Sequence, residues 1–179
     1  MIDIIKNIDL ELLLWIKSID FSIVWDYFFY MISTLGNKGF LWIGISFLLA
    51  VSPKYRKTGF AVIIALAIVT LLGEFGLKPI IGRERPFVEY GFLDMAMVHA
   101  SGYSLPSGHT SSSFAAAAVL ADKFGKHKMM IWMAAVLMGF SRIYFFVHYP
   151  SDVFAGAILG LFVGFFITRC TDKNRNAVS

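Results

Sequence analysis

Apolar residues fall into six segments along the chain, and short polar stretches separate them. The segments cover residues 21–35, 39–52, 58–77, 107–121, 129–147 and 153–168. Such segments predict transmembrane helices, because a bilayer requires each backbone polar group to be satisfied within its own element. Segment 21–35 is the weakest, since it is short and contains Asp26. The pattern therefore predicts an all-α integral membrane bundle of about six transmembrane helices, five of them better supported than the sixth.

Residues 1–20 have a different pattern, in which charged residues recur every few positions among apolar ones. This spacing predicts an amphipathic helix that lies along the membrane surface. Residues 21–170 are expected to form one transmembrane domain with a long loop at 78–106, and residues 171–179 a polar tail. The N-terminal pattern lacks the features of a removable signal peptide, so none is expected.

The composition supports a membrane protein. Hydrophobic residues make up 58% of the 179 residues and charged residues 16%, and the mean hydropathy is +0.69. A soluble domain of this size could not bury so much apolar surface. The same composition excludes disordered, collagen-like and disulfide-rich classes, and the single Cys170 cannot form an internal disulfide.

The charged residues predict the orientation. If the spans alternate, nine Lys and Arg residues fall on one side and five on the other. Cytoplasmic loops carry the excess of Lys and Arg, so the first side, the polar tail and, if segment 21–35 spans, the N-terminus are expected in the cytoplasm. This also explains the net charge of +4 without nucleic-acid binding. The nine are Lys54, Arg56, Lys57, Lys123, Lys126, Lys128, Arg169, Lys173 and Arg175, and the five are Lys38, Lys78, Arg83, Arg85 and Arg142.

Three polar stretches are expected to meet on the extracytoplasmic side, next to loop 78–106. Lys78, Arg85 and Arg142 supply positive charges that suit a phosphate group. Ser107 is placed as the N-cap of a helix whose first N–H groups can bind an anion, and Gly108 lets that anion approach the backbone. The stretches, which together predict a phosphate-binding site, are KPIIGRERPF at 78–87, LPSGHT at 105–110 and SRIYFFVHYPSD at 141–152.

Two histidines add reactivity to this site. His148 precedes Asp152 by four residues, so the carboxylate could orient the imidazole and stabilise its protonated form. His109 begins the helix after Ser107 and is placed to donate a proton to a leaving group. On chemistry alone, either imidazole could serve as nucleophile or as proton donor. The sequence has no Cys pair, HExxH motif or acidic cluster that would require a metal.

These stretches resemble the three-part signature of the type 2 phosphatidic acid phosphatases. The matching positions are KxxxxxxRP at Lys78–Pro86, PSGH at Pro106–His109 and SRxxxxxHxxxD at Ser141–Asp152, in the family's order. The resemblance implies a helical core shared with the vanadium haloperoxidases and a metal-independent lipid phosphatase that needs no cofactor. It implies that His148 is the nucleophile, that Asp152 orients it and that His109 is the general acid. The phosphate-binding residues that it implies are Lys78, Arg85, Ser107, Gly108 and Arg142.

The implied substrate is the terminal phosphate of a membrane lipid whose tails stay in the bilayer, hydrolysed at the extracytoplasmic face of the cell membrane. Undecaprenyl pyrophosphate, phosphatidylglycerophosphate and phosphatidate all fit, and resemblance to the short bacterial members slightly favours the first. Loop residues 87–105 mix apolar and polar positions and are expected to cover the entrance.

Alternatives from other classes were a non-catalytic membrane lipid transporter and a membrane scaffold. Ionisable residues at one end of the spans argue against the transporter, and the scaffold leaves the histidines unexplained. Glu74 is expected to form a structural pair with Lys78, and no role is predicted for Arg83. His99 and His127 are expected at the surface. The ladder of Gly156, Gly160 and Gly164 predicts close helix packing and offers a face for a homo-oligomer.

Overall fold

The computed structural model describes residues 2–91, 98 and 100–176, and within these residues it contains helices and turns but no strand. This confirms the all-α prediction, and each of the six apolar segments contains a helix. His99 and much of the predicted loop cover lie outside the described residues. The helices are α1 (Ile2–Ser18), α2 (Ile23–Leu35), α3 (Phe40–Val51), α4 (Arg56–Thr70), α5 (Lys78–Ile81), α6 (Pro86–Glu89), α7 (Gly108–Lys123), α8 (Lys128–Tyr144) and α9 (Pro150–Asn176).

The helices differ in whether they are long enough to span a membrane. Helix α4 continues through a π-helical segment, Leu71–Leu77, into α5. Two stretches qualify by length and composition, Arg56–Glu89 and Pro150–Thr171, and a third qualifies if α2 and α3 are one bent span. Helices α7 and α8 have 16 and 17 residues, short of the roughly 20 that cross a bilayer comfortably. The predicted segments are thus helical, but fewer of them qualify as independent spans.

Helix α7 is the centre of the bundle and packs against α4, α8 and α9. Its residues 115–120 are all buried. Helix α9 approaches it closely, because a Cβ added at Gly160 would lie only 2.4 Å from the Ser111 carbonyl oxygen and one at Gly164 only 2.6 Å from Ala118 Cβ. The predicted close packing is confirmed. This glycine face packs against α7 of the same chain, and a homo-oligomer stays a prediction.

Helices α2 and α3 are two halves of one element that bends by 51° between them. Their contacts run in order from the C-terminal end of α8 to the middle of α7, which shows that both halves run in the same direction. The successive pairs are Asp26 with Tyr144 at 2.6 Å, Asn37 with His109 at 3.2 Å and Trp42 with Ser113 at 2.8 Å.

This geometry corrects the predicted topology. Because α2 begins at the end of the bundle where α8 ends, helix α1 lies at that end too, where Asp9 hydrogen-bonds to Ser151 at the start of α9. The C-terminal end of α9 lies at the opposite end, so α1 and the end of α9 do not share an end of the bundle. Lys6 and Lys17 of α1 join the site end, and Lys38 falls in the bend between α2 and α3. The bias in Lys and Arg residues therefore becomes nine against six.

Helix α1 is amphipathic, as predicted. Asp9, Leu13 and Ile16 are buried along one face, at the i, i+4 and i+7 spacing of a helical stripe. The other faces expose large apolar side chains, among them Ile4 and Trp15. Its location along a membrane surface stays a prediction.

Candidate active site

The three motifs converge on one cavity of about 1070 Å³. Helix α5 carries Lys78 to it, the start of α7 carries Gly108 and His109, and the end of α8 carries Arg142. The segment between α8 and α9 carries His148, and the turn before α6 carries Arg85. Six of the eight predicted site residues therefore line this cavity: Lys78, Arg85, Gly108, His109, Arg142 and His148.

Asp152 and Ser107 stand behind the cavity wall instead of lining it. Asp152 is fully buried behind His148. Ser107 caps α7, since its hydroxyl oxygen accepts a hydrogen bond from the Thr110 hydroxyl at 2.9 Å and faces the Thr110 N–H at 3.5 Å. The predicted N-cap is confirmed. The phosphate-binding role of Ser107 stays a prediction, since its hydroxyl accepts from Thr110 and keeps its own O–H to donate.

The contacts of His148 fix the state of its ring. Its Nε2 atom lies 3.1 Å from Arg85 Nη1, and a guanidinium can only donate, so Nε2 is the accepting nitrogen. The ring proton then belongs on Nδ1, which lies 3.5 Å from Asp152 Oδ2. Burial, and next the positive charge of Arg85, lowers the pKa of His148 well below its usual range. The ring is thus neutral near pH 7, with the Nε2 lone pair toward the cavity cations.

Arg85 is held in place by backbone carbonyls. Its Nη1 donates to Val147 O at 2.8 Å, its Nε to Gly102 O at 2.9 Å and its Nη2 to Ser101 O at 2.9 Å. These bonds tie the loop after α6 to the segment that carries His148. The described part of the predicted loop cover therefore lies at the site, where Ser101 and Ala100 line the cavity.

Arg142 and His109 complete the polar end of the cavity. Arg142 is buried, donates from Nη1 to the Ser33 hydroxyl and has no hydrogen-bond partner at Nε. A buried guanidinium with an unpaired donor is costly unless an anion binds it. His109 Nε2 lies 3.2 Å from the amide oxygen of Asn37, a residue that no motif includes.

Lys78 and Glu74 form the predicted pair. The Lys78 ammonium donates to both carboxylate oxygens of Glu74, at 2.7 and 2.9 Å. Gly108 explains how the carboxylate fits there, because a Cβ at this position would lie 2.4 Å from Glu74 Oε1. Lys78 is buried whereas the Glu74 side chain is 41% exposed, so the pair lies at the wall of the cavity.

Arg83 has a part in the site that its place in the sequence did not predict. Its guanidinium donates to Asp152 Oδ1 at 2.8 Å and to Asp9 Oδ2 at 2.7 Å, and it lies 3.8 Å from the centre of the Tyr149 ring. Asp152 also accepts the Tyr149 N–H through Oδ2 at 2.9 Å. Arg83 thereby fixes the carboxylate behind His148 and connects it to α1. The signal in the sequence was Asp9, an acidic residue on the otherwise apolar stripe of α1.

Residues 54–176 match the family model of the PAP2 superfamily. A phosphatidylglycerophosphatase B of Bacillus subtilis is 34% identical over 156 residues, covering 79% of this chain and 73% of that protein. A lipid A 4'-phosphatase of Bacteroides thetaiotaomicron is 30% identical over 178 residues, covering 92% and 77%. An undecaprenyl-diphosphatase of Sulfolobus acidocaldarius is 32% identical over 130 residues, covering 72% of this chain but only 63% of that protein.

Two solved structures resemble the fold. A transmembrane PAP2-type phosphatidylglycerolphosphate phosphatase from Bacillus subtilis superposes with a TM-score of 0.75 at 27% identity, covering 94% of this chain and 86% of that one. LpxE from Aquifex aeolicus superposes with a TM-score of 0.73 at 28% identity, covering 89% of this chain and 94% of that one.

The comparisons support a membrane lipid phosphatase, a hydrolase of phosphoric monoesters or diphosphates, rather than a non-catalytic transporter. The chain belongs to the PAP2 superfamily, the type 2 phosphatidic acid phosphatases that its three motifs resemble.

Proposed function

We propose that this protein removes the terminal phosphate of a membrane lipid through a phosphohistidine on His148. The observation that carries the proposal is the arrangement of this ring: Nε2 faces the cavity, Nδ1 faces Asp152, and Lys78, Arg85 and Arg142 line the same cavity. Three cations suit the charge of a phosphate and of the transition state that forms from it. A neutral imidazole at their centre suits a nucleophile.

In the first step, the Nε2 lone pair forms a bond to phosphorus, and the bond from phosphorus to the leaving oxygen of the lipid breaks. His109 gives its proton to that oxygen. Arg85 Nη1 transfers its hydrogen bond from Nε2 to a phosphate oxygen, which frees the nucleophile. Asp152, held by Arg83, stabilises the positive charge that develops on the His148 ring.

In the second step, His109 takes a proton from water as the water oxygen attacks phosphorus. The bond from phosphorus to Nε2 breaks, inorganic phosphate leaves, and His148 returns to its neutral form. The cations of the side chains supply the charge stabilisation in both steps, which is why we expect turnover in the presence of a chelator.

An apolar groove gives the lipid tail a place. The cavity continues from its polar end between α3 and α4, where large apolar side chains line it, all of those named below exposed except the buried Leu66. A phosphate bound at the polar end leaves the attached tail along this groove, within reach of surrounding lipid. The apolar residues that line it include Phe40, Ile43, Phe47, Ile63, Leu66 and Leu71.

The distribution of exposed cations supports an extracytoplasmic site. At the site end, Lys78, Arg85 and Arg142 are buried, and Lys6 and Lys17 of α1 are exposed. The loops at the other end carry more exposed cations, among them Lys54, Arg56, Lys57, Lys126 and Lys128. Tyr55 precedes α4 and Phe124 follows α7, and the centres of their rings are 5.3 Å apart. The α3–α4 loop and the α7–α8 loop therefore lie at one end of the bundle. An excess of exposed cations is typical of the cytoplasmic side, which supports an extracytoplasmic active site.

A substrate panel tests the activity. Purified protein in detergent with a chelator would receive undecaprenyl pyrophosphate, phosphatidylglycerophosphate, phosphatidate and lipid A, and released phosphate would be measured. We expect release from at least one of these lipids. Release from none, with folded protein, would contradict the proposed function.

A labelling experiment tests on which side of the membrane the active site lies. Cys170 is exposed at the end opposite the site. In intact cells, an impermeant maleimide should leave Cys170 unlabelled and should label Tyr103→Cys in a Cys170→Ser background. The reverse pattern would place the site on the cytoplasmic side.

A further inference from the structure

Glu74 occupies a position in the cavity that the proposed mechanism does not use. It lies in the π-helical segment between α4 and α5, a type of irregularity often found at functional sites. Its neighbours Thr70, Leu71 and Phe75 also line the cavity, on the apolar side, and Lys78 and Gly108 line it on the polar side. Glu74 therefore lies at the boundary between the phosphate-binding end and the tail groove.

The carboxylate contacts two of the groups proposed to bind phosphate. Lys78 donates to both of its oxygens at 2.7 and 2.9 Å. Its Oε1 atom lies against Gly108, the first residue of α7, at a distance that leaves no room for a Cβ. Among the described residues that line the cavity, Glu74 is the one acidic residue. A phosphate bound by Lys78 and by the start of α7 is consequently the direct neighbour of a negative charge.

A purely structural ion pair would not need this placement. A carboxylate could neutralise Lys78 from the side away from the cavity, where it would not oppose an incoming anion. Here the Glu74 side chain is 41% exposed and faces the cavity. Its repulsion therefore acts on the substrate, and it increases with each negative charge that the substrate carries.

We propose that Glu74 sets the charge preference of the phosphate site, favouring phosphoryl groups of low negative charge and lipid monophosphates over lipid diphosphates. The proposal rests on the proposed function and names the substrate class of the same site. In a lipid diphosphate, the second phosphate connects the terminal phosphate to the tail, so it lies beside Glu74 at the entrance to the groove. Its negative charge adds to the repulsion by the Glu74 carboxylate. A monophosphate ester has only an uncharged linkage at that point.

A matched pair of lipids tests the proposal. Phosphatidate and diacylglycerol pyrophosphate can be prepared with identical tails and differ by one phosphoryl group. The ratio of kcat/KM for the diphosphate to that for the monophosphate should rise about tenfold in Glu74→Gln, because one like charge is removed at short range. Glu11→Gln, which removes an exposed carboxylate on α1, should leave the ratio unchanged. An unchanged ratio in Glu74→Gln would overturn the proposal.

Binding of two oxyanions separates this proposal from the proposed function. Perrhenate and tungstate are tetrahedral ions of similar size that carry one and two negative charges. Measured by calorimetry, Glu74→Gln should strengthen tungstate binding about tenfold more than perrhenate binding, whether or not any lipid is hydrolysed. If this variant does not fold, Glu74→Ala decides by the same comparison: tungstate binding should strengthen more than perrhenate binding, and equal changes for the two ions would overturn the proposal.

Discussion

Two walls of the active-site cavity differ in how they are held. The wall behind His148 is closed: residues 145–149 and Asp152 are at most 2% exposed. Arg83 holds the Asp152 carboxylate from behind and is itself paired with Asp9. The wall formed by α3 and α4 is open, with Phe40 and Phe47 each 62% exposed. The closed wall carries the reacting groups and the open wall carries apolar surface. We infer that the closed wall determines the rate of the chemical step and that the open wall determines which lipids reach the reacting groups.

Among the substitutions considered, one on the closed wall should reduce activity the most. His148→Ala should reduce phosphate release by at least about 10⁴-fold for every substrate, because it removes the group proposed to form the covalent intermediate. The measurement is initial phosphate release in detergent with a chelator. His127→Ala, which removes an exposed histidine at the other end of the bundle, should keep full activity. Wild-type turnover in His148→Ala would refute the assignment of the nucleophile.

The carboxylate behind the nucleophile should have the next largest effect. Asp152→Asn keeps an acceptor for the Tyr149 N–H but loses the charge that stabilises the His148 imidazolium, so kcat should fall about 10³-fold with little change in KM. Asp122→Asn, an exposed site near the far end of α7, is the matched control. A rise in KM at unchanged kcat would show that Asp152 acts on substrate binding instead.

The packing beneath the closed wall should tolerate no added atom. Gly160→Ala places a methyl group 2.4 Å from Ser111 O and 2.9 Å from Ala115 N, so helices α7 and α9 must separate, at a cost of about 1–3 kcal/mol. Gly44→Ala on α3 adds the same methyl group where no atom lies within 4 Å. In detergent, Gly160→Ala should therefore unfold at a lower temperature than Gly44→Ala. Equal stability of both would contradict the role of the glycine ladder.

A substitution on the open wall should have the smallest effect, and it should change KM instead of kcat. Phe47→Ser should raise KM about tenfold for a lipid with long tails, through lost apolar contact, and should leave kcat and short-tailed substrates unaffected. Phe162→Ser removes a similarly exposed phenylalanine from α9 and should change neither. If short-tailed substrates lose as much as long-tailed ones, the groove does not hold the tail.

The sequence predicted most of the site because motif spacing is local information. The six residues that line the cavity were all assigned from three short stretches, and the helices appeared where apolar segments of sufficient length predicted them. Ser107 was predicted both as the N-cap of α7 and as a phosphate-binding residue. The cap is confirmed, because capping depends on local sequence, and the phosphate-binding role stays a prediction.

The sequence could not predict how distant elements meet. Segments 21–35 and 39–52 each resembled a crossing, but the chain between them bends without reversing, and hydropathy carries no information on the angle at such a break. Arg83 and Arg85 are equivalent by charge and are two residues apart. One contacts the carboxylate behind the nucleophile and the other contacts the nucleophile itself, because the buried Asp9 of α1 provides a second partner for Arg83 alone.

The central claim is that His148, His109 and the cavity cations surround a single phosphate, with His148 as the group that bonds to it. An experimental structure with bound vanadate, which resembles phosphorus in its five-coordinate state, tests this most directly. Vanadium should bond to His148 Nε2, with its oxygens contacted by Lys78, Arg85 and Arg142 and the apical oxygen near His109. Vanadate bonded to His109, or bound away from both imidazoles, would contradict it.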